Sequence, residues 1–281
     1  MYALRAFLLM ACLSPYVVVR STNVKIATIN IRYDNPMDSI NQWNYRKRIF
    51  CKFISKEKLD LFCLQEVLPR QLNDILCAMP QYAYIGRGRT SKKSESVPII
   101  YNTSKYDVLR TETFWLSDTP DSVGSVGWDA KHPRIATWVL LKIKKTGSIF
   151  CVVNTHLDHV GKEARLKGMK LIKERIKPYK RYPILLLGDM NCSQESEVYQ
   201  VALNEVFPMS DSFYIAKKRK GVAYSFHSFG KSMPIEKRYR PDMVFVTSQI
   251  SVKLFDIPKE KMIKGVYMTD HCPVVVDVDI Q

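Results

Sequence analysis

The chain has 281 residues, enough to bury a sizeable core as one large domain or two small ones, and its 43 Lys and Arg against 27 Asp and Glu give a formal charge of +16. So basic a balance favours polyanionic partners (nucleic acid, phosphorylated metabolites or an anionic membrane surface) and says nothing about fold. No CxxC pair occurs, which argues against a zinc ribbon, and Cys51, Cys63, Cys77, Cys151, Cys192 and Cys272 show no disulfide framework.

The N-terminus reads as a targeting segment. Arg5 precedes "AFLLMACL", whose length suits a signal-peptide core better than a membrane span, and Val19 and Ser21 sit at the −3 and −1 positions for cleavage after Ser21. Secretion is the expectation. A mitochondrial presequence is the alternative, because no acid occurs before Asp34. The remaining residues, 22–281, are expected to form a single soluble domain with no stable membrane anchor, as a monomer.

Along that domain, strands and helices alternate. "NVKIATINIR" (23–32) is a β-branched strand, and "NYRKRIFCKFISKEK" places Ile49, Phe53 and Ile54 at helical spacing among bases. "LDLFCLQEV" (59–67) is a short buried strand. "PRQLNDILCAM" is a helix opened by Pro69, with Leu72, Ile75, Leu76 and Met79 on one face. Strands follow at "YAYIGRG", "VPIIYN" and "YDVLRTETFWL", then a loop over about 117–133. "RIATWVLLKI" and "GSIFCVVNTHL" flank the hairpin turn "KKTG". "KEARLKGMKLIKERIK" is an amphipathic helix and "YPILLLGDMN" a strand; residues 211–238 read as loop. "RPDMVFVTS" and "HCPVVVDVDI" are the last strands. The class this predicts is α/β, with strands buried under helices.

Polar residues gather at the strand ends. The first strand ends in Asn30, the next delivers Glu66, and "CVVNTHLDH" delivers Asn154, His156 and Asp158. "LLLGDMN" presents Asp189 and Asn191, Asp242 opens "DMVF", and Asp270 and His271 precede the last strand. Each alone is an ordinary surface acid or structural histidine. Converging, they make a cleft of hard oxygen ligands suited to Mg²⁺ or Mn²⁺.

This ordered set (Asn30, "QEV", "NTHLDHVG", "GDMN", "TDHCPV") resembles the endonuclease/exonuclease/phosphatase superfamily over residues 24–280. The resemblance implies a four-layer α/β sandwich, two mixed sheets face to face with helices outside and the active site at one end between them. It implies Glu66 as the principal metal ligand, with Asn30 and Asp270 on the metal side. Asp189 and Asn191 would orient or deprotonate the attacking water, and Asn191 and Arg134 would contact phosphate. His271, paired with Asp242, would hold a phosphoryl oxygen. His156, with Glu95 as its partner, would face the leaving group, and carboxylate partners would raise the pKa of both histidines. Pro241 and Met243 depart from the family pattern beside Asp242.

The substrate is less determined, because fold does not choose the phosphoester. The leading expectation is a metal-dependent nuclease acting on DNA or RNA by in-line attack of water, with "RGRTSKK" (87–93) and "AKKRKG" (216–221) tracking the phosphate backbone. The alternative is a lipid or inositol-phosphate phosphoesterase, for which an exposed apolar insertion would be diagnostic; none is evident in the sequence.

Overall fold

The computed structural model describes residues 21–90, 93–230, 234, 238–259 and 262–281, so the predicted targeting segment at 1–20 lies outside the described residues. In chain order the elements are β1 (Thr22–Asn30), a 3-10 turn (Pro36–Asn41), α1 (Trp43–Glu57), β2 (Leu61–Gln65), α2 (Pro69–Ala78), β3 (Tyr82–Ile85), β4 (Ile99–Asn102) and β5 (Tyr106–Trp115). Then come β6 (Ile135–Ile143), β7 (Ile149–His156), α3 (Lys162–Ile176), β8 (Ile184–Asp189), α4 (Glu197–Asn204), β9 (Ser210–Asp211), α5 (Ser212–Ile215) and β10 (Lys218–Gly221). The last are β11 (Asp242–Val246), β12 (Ile250–Ile257), the hairpin β13 (Met262–Ile263) and β14 (Val266–Tyr267), and β15 (Val274–Ile280).

Two mixed sheets carry the architecture, a seven-stranded one ordered β10-β12-β15-β1-β2-β4-β3 and a six-stranded one ordered β5-β6-β7-β8-β11-β9. Period-2 alternation explains the layers. Leu185 and Leu187 of β8 face inward, where they join Ile26, Cys63, Val139, Val152, Val244 and Val276 from both sheets in a buried inter-sheet core. Leu186 points the other way and packs with Met169, Ile172 and Ala202 of α3 and α4. On the opposite outer face, Ala27, Ile29, Phe62 and Leu64 pack against Trp43, Phe50, Ile54, Leu72 and Ile75 of α1 and α2. The result is the expected four-layer sandwich.

The departures lie toward the C-terminus. The predicted loop over 211–238 contains α5 and β10, and α4 and β12 go beyond the predicted elements. Pro241 does not displace its strand: its carbonyl accepts the Met190 N–H at 2.9 Å, and β11 pairs in register with β8 along its length. No disulfide forms among the described residues.

Candidate active site

The polar strand ends of both sheets meet at one end of the inter-sheet core. In the six-stranded sheet β7, β8 and β11 are neighbours, and their register sets His156 beside Asp189 and Asp189 beside Asp242. In the other sheet Asn30 lies beside Gln65, so Glu66 leaves β2 one residue later. Asp270 and His271 arrive just before β15, whose Val274 pairs with Thr28. Asn30, His156, Asp189, Asp242, Asp270 and His271 are buried, and Glu66 is half-buried.

The backbone is strained here. Arg32, Glu66 and Asn191 hold φ of +56°, +62° and +47° without being glycine. Such residues cost on the order of 1–3 kcal/mol each and persist where surrounding contacts over-determine them. Those contacts are visible: Arg32 N–H donates to Asn30 Oδ1 at 3.0 Å, Tyr33 N–H to Glu66 Oε2 at 3.1 Å, and Asn191 N–H to Asp189 Oδ1 at 3.0 Å.

One amide ties the sheets together. Asn30 Nδ2 donates to Glu66 Oε1 and to Asp189 Oδ2, both at 3.1 Å. The Asn191 side chain donates to Leu157 O at 2.9 Å. Burial, then the charge of Asp242, pushes the Asp189 carboxyl above the usual range, against His271 and its N–H donors.

The two histidines differ. His271 Nδ1 stands 2.7 Å from Asp242 Oδ2, which also accepts the Ser225 hydroxyl at 2.6 Å. Burial opposes charge on this imidazole, but Asp242, Asp189 and Asp270 outweigh it and raise its pKa to about 10. His156 goes the other way: burial, with Arg134 and His271 behind it, drives its pKa well below the ordinary value. Both Nε2 atoms face the same Asp189 oxygen, at 3.7 and 3.9 Å. One site thus holds a cationic and a neutral imidazole.

The expected Glu95–His156 pair does not form. Glu95 Oε1 accepts Arg89 Nη2 at 2.7 Å, and the Arg89 backbone N–H donates to Glu95 O, so the loop closes on itself. Without a carboxylate partner of that kind, His156 loses the expected rise in pKa to desolvation. Within "RGRTSKK", exposed Arg87 stacks over Trp115 at 4.4 Å, Arg89 lines the cavity, and residues 91–92 lie outside the described residues.

A cavity of about 650 Å³ opens over these groups. Its three arginines each carry a carboxylate: Arg32 with Asp38 at 3.0 Å, Arg89 with Glu95 at 2.7 Å, and Arg134 with Asp158 at 3.2 Å. His132 and His159 stack at 5.7 Å, and Arg134 Nη2 donates to His159 Nδ1 at 3.0 Å. Burial, with Arg89 and Arg134 behind it, holds His132 below its ordinary pKa; burial and Arg134 do the same for His159. Phe226 lies 4.9 Å from the His271 ring and, with Phe229, lines another part of the cavity. Sequence spacing does not single out Arg32, His132, His159 or Phe229, and it marks Arg89 only as part of "RGRTSKK". The signal for the two histidines is their place inside "HPRIATW" and "NTHLDHVG".

Residues 27–259 match the model of the Endonuclease/Exonuclease/phosphatase family. The chain belongs to this family. Its fold is similar to an endonuclease/exonuclease/phosphatase from Bacteroides vulgatus, 42% identical over 92% of this chain and 100% of that one, with a TM-score of 0.89. It is also similar to a mannosyl-6-phosphatase from Bacteroides thetaiotaomicron, 33% identical over 91% of this chain and 99% of that one, with a TM-score of 0.83. Among curated proteins it is 24% identical over 234 residues to the RNA exonuclease NGL1 of Saccharomyces cerevisiae, a match covering 64% of this chain and 63% of the relative, so it spans less than two thirds of that protein.

Endonuclease/exonuclease/phosphatase enzymes are metal-dependent phosphoester hydrolases, and the donor set here fits a hard cation. Glu66, Asp189 and Asp270 present carboxylates to the cavity, and Asn30 holds Glu66 and Asp189 together. Asp189, Asp242 and His271 also offer buried ligand atoms within 4.8 Å of one another. In that group Asp242 Oδ2 is already engaged by His271 and Ser225, while Oδ1 has no hydrogen-bond partner among the described residues. Glu66 and Asp270 line the open cavity, which Asp242 does not.

Proposed function

We propose that this enzyme removes phosphate from a small, hydroxyl-rich alcohol, a sugar phosphate by class, with Mg²⁺ or Mn²⁺ as its cation. The observation that carries this reading is the internal pairing of every arginine in the cavity. Arg32, Arg89 and Arg134 each have their own acid, and His132 and His159 are held toward the neutral form. A polyanion gains most from unpaired cations, whereas such a wall offers donors and acceptors for hydroxyl groups. The 33% identity to a protein named a mannosyl-6-phosphatase supports it.

When bound, the cation supplies Lewis-acid polarisation of a phosphoryl oxygen. The residues supply the rest. Asp189, its basicity raised by burial, takes the proton of the attacking water, oriented by the N–H groups of Asn30 and Asn191 that fix its carboxylate. Cationic His271 donates to a phosphoryl oxygen and stabilises the charge that develops there. Neutral His156, beside Asp189, positions the leaving oxygen, which departs as the alcohol by taking a proton from solvent water.

A nuclease is the second reading. It is favoured by the exposed strand Lys218–Gly221 and by the likeness to a yeast RNA exonuclease. The test is to assay the full chain with Mg²⁺ or Mn²⁺ against hexose phosphates and against single-stranded RNA and DNA. Release of orthophosphate from a hexose phosphate, abolished by EDTA, is expected to dominate. Nucleic acid cleavage with no such release would replace the first reading by the second.

A further inference from the structure

A surface outside the catalytic cavity carries a different set of features. The hairpin β13–β14 leaves Met262 59% and Ile263 47% exposed, and the turn Pro36–Asn41 leaves Met37 85% and Ile40 55% exposed. These are one surface. Tyr267 N–H donates to Asn41 Oδ1 at 3.0 Å, and Ile40 Cδ1 lies 4.0 Å from where a Cβ on Gly265, in the hairpin turn, would stand. Exposed apolar side chains scattered singly need no explanation, but a contiguous group on one projecting edge does.

Lysines surround it. Lys52 and Lys56 of α1 and Lys259 line an apolar cavity of about 240 Å³ together with Phe53 and Ile263. Exposed Lys264 sits at the tip of the hairpin. None of these four lysines is ion-paired among the described residues, although Lys47 on the same helix pairs with Asp74 at 3.2 Å and nearby Lys25 with Glu57 at 2.7 Å. Unpaired cations framing exposed Met and Ile are the composition of an interfacial element, with apolar groups entering the acyl boundary and ammonium groups meeting anionic headgroups. Among the described residues no helix is long and apolar enough to cross a membrane.

We propose that this face, made by the hairpin Met262–Tyr267, the turn Pro36–Asn41 and the lysine-lined cavity, docks the protein onto an anionic lipid bilayer. The cavity accepts part of an acyl chain, and because His271 also lines it, the docked lipid lies next to the catalytic cavity. The surface is independent of which phosphoester the enzyme cleaves, and its test does not read catalysis.

The test is cosedimentation of the full chain with phosphatidylcholine vesicles, with and without phosphatidylserine, at low and high salt. Binding is expected only with phosphatidylserine, and to fall with salt. Met262→Asp with Ile263→Asp should weaken it at least about tenfold. Lys52→Gln and Lys56→Gln should each weaken it about fivefold, the scale of one basic residue at an anionic surface. Circular dichroism and hydrolysis of a soluble phosphoester should be unchanged by the Met262 and Ile263 substitutions, which lie outside the catalytic cavity. No sedimentation at low salt, or an unchanged double variant, would overturn the proposal. So would a dimer, seen by light scattering, that the double variant splits while vesicles are ignored: the face would then belong to a second copy.

Discussion

Glu66 combines a strained backbone with a carboxylate held by Tyr33 N–H and the Asn30 amide. Glu66→Gln keeps the shape and removes the charge. We expect turnover to fall by about 10²–10³-fold, the scale of one electrostatic contributor. The thermal stabilisation by added Mg²⁺ should also shrink, because a ligand stabilises only in proportion to its affinity for the fold; an undiminished Mg²⁺ shift would remove Glu66 from the metal site. His271 gives a pH signature. Its folded pKa of about 10 exceeds the ordinary 6.5, so its contribution to stability is complete below about pH 6.5 and is lost as pH rises through 10. Urea midpoints measured across that window should fall for the wild type more steeply than for His271→Asn. His156, held neutral, should contribute no such slope, and equal profiles for the two residues would contradict the asymmetry seen at Asp189.

At the scale of the element, Gly188 and Lys173 matter most. Gly188 has φ +145°, and a Cβ there would stand 1.9 Å from Thr155 O on the neighbouring strand. Close approach of β7 and β8 is what sets His156 beside Asp189. Gly188→Ala should therefore cost about 1–3 kcal/mol or more by overpacking, and reduce turnover beyond the loss of folded protein, read by titrating activity against circular dichroism. Lys173, fully buried on α3, donates to Ala202 O at 2.7 Å and Val201 O at 3.4 Å in the last turn of α4 and to Phe207 O at 2.6 Å just beyond it. Burial lowers its pKa to about 8, yet three acceptors match the three donors of an ammonium. Lys173→Met should lose about 2–5 kcal/mol in urea denaturation, from carbonyls left unsatisfied.

Over the whole molecule the question is what the charge of +16 is for. The cavity's arginines are internally paired, whereas Lys218, Arg219 and Lys220 on β10 are exposed at a sheet edge. Hydrolysis of a small sugar phosphate should therefore vary little with salt. Any RNA binding should drop by orders of magnitude between about 50 and 200 mM salt through counterion release. Charge reversal at Lys218, Arg219 and Lys220 should flatten that slope and leave the small-substrate rate alone. A hydrolysis rate falling as steeply as RNA binding would return the basic surface to the active site.

The strand tips were readable in the sequence because burial is written there directly. Apolar runs that stop on Asn30, Glu66 or Asp189, or that begin just after His271, declare both a buried strand and the group it presents, whereas the two facing sheets were implied by the family resemblance. β12 was harder: a register shift between Val252 and Leu254 interrupts the alternation that would mark "ISVKLFDI". Glu95 went to Arg89 rather than His156 because a carboxylate binds the nearest cation in space, and spacing along a chain does not give distances. The opposite pKa shifts of His156 and His271 have the same origin. Both are histidines at strand ends, and only folding decides that one meets Asp242 while the other meets burial and Arg134. Local pattern encodes which side chains are brought to an edge; their charge state depends on desolvation and on neighbours that stand tens of residues away in the chain.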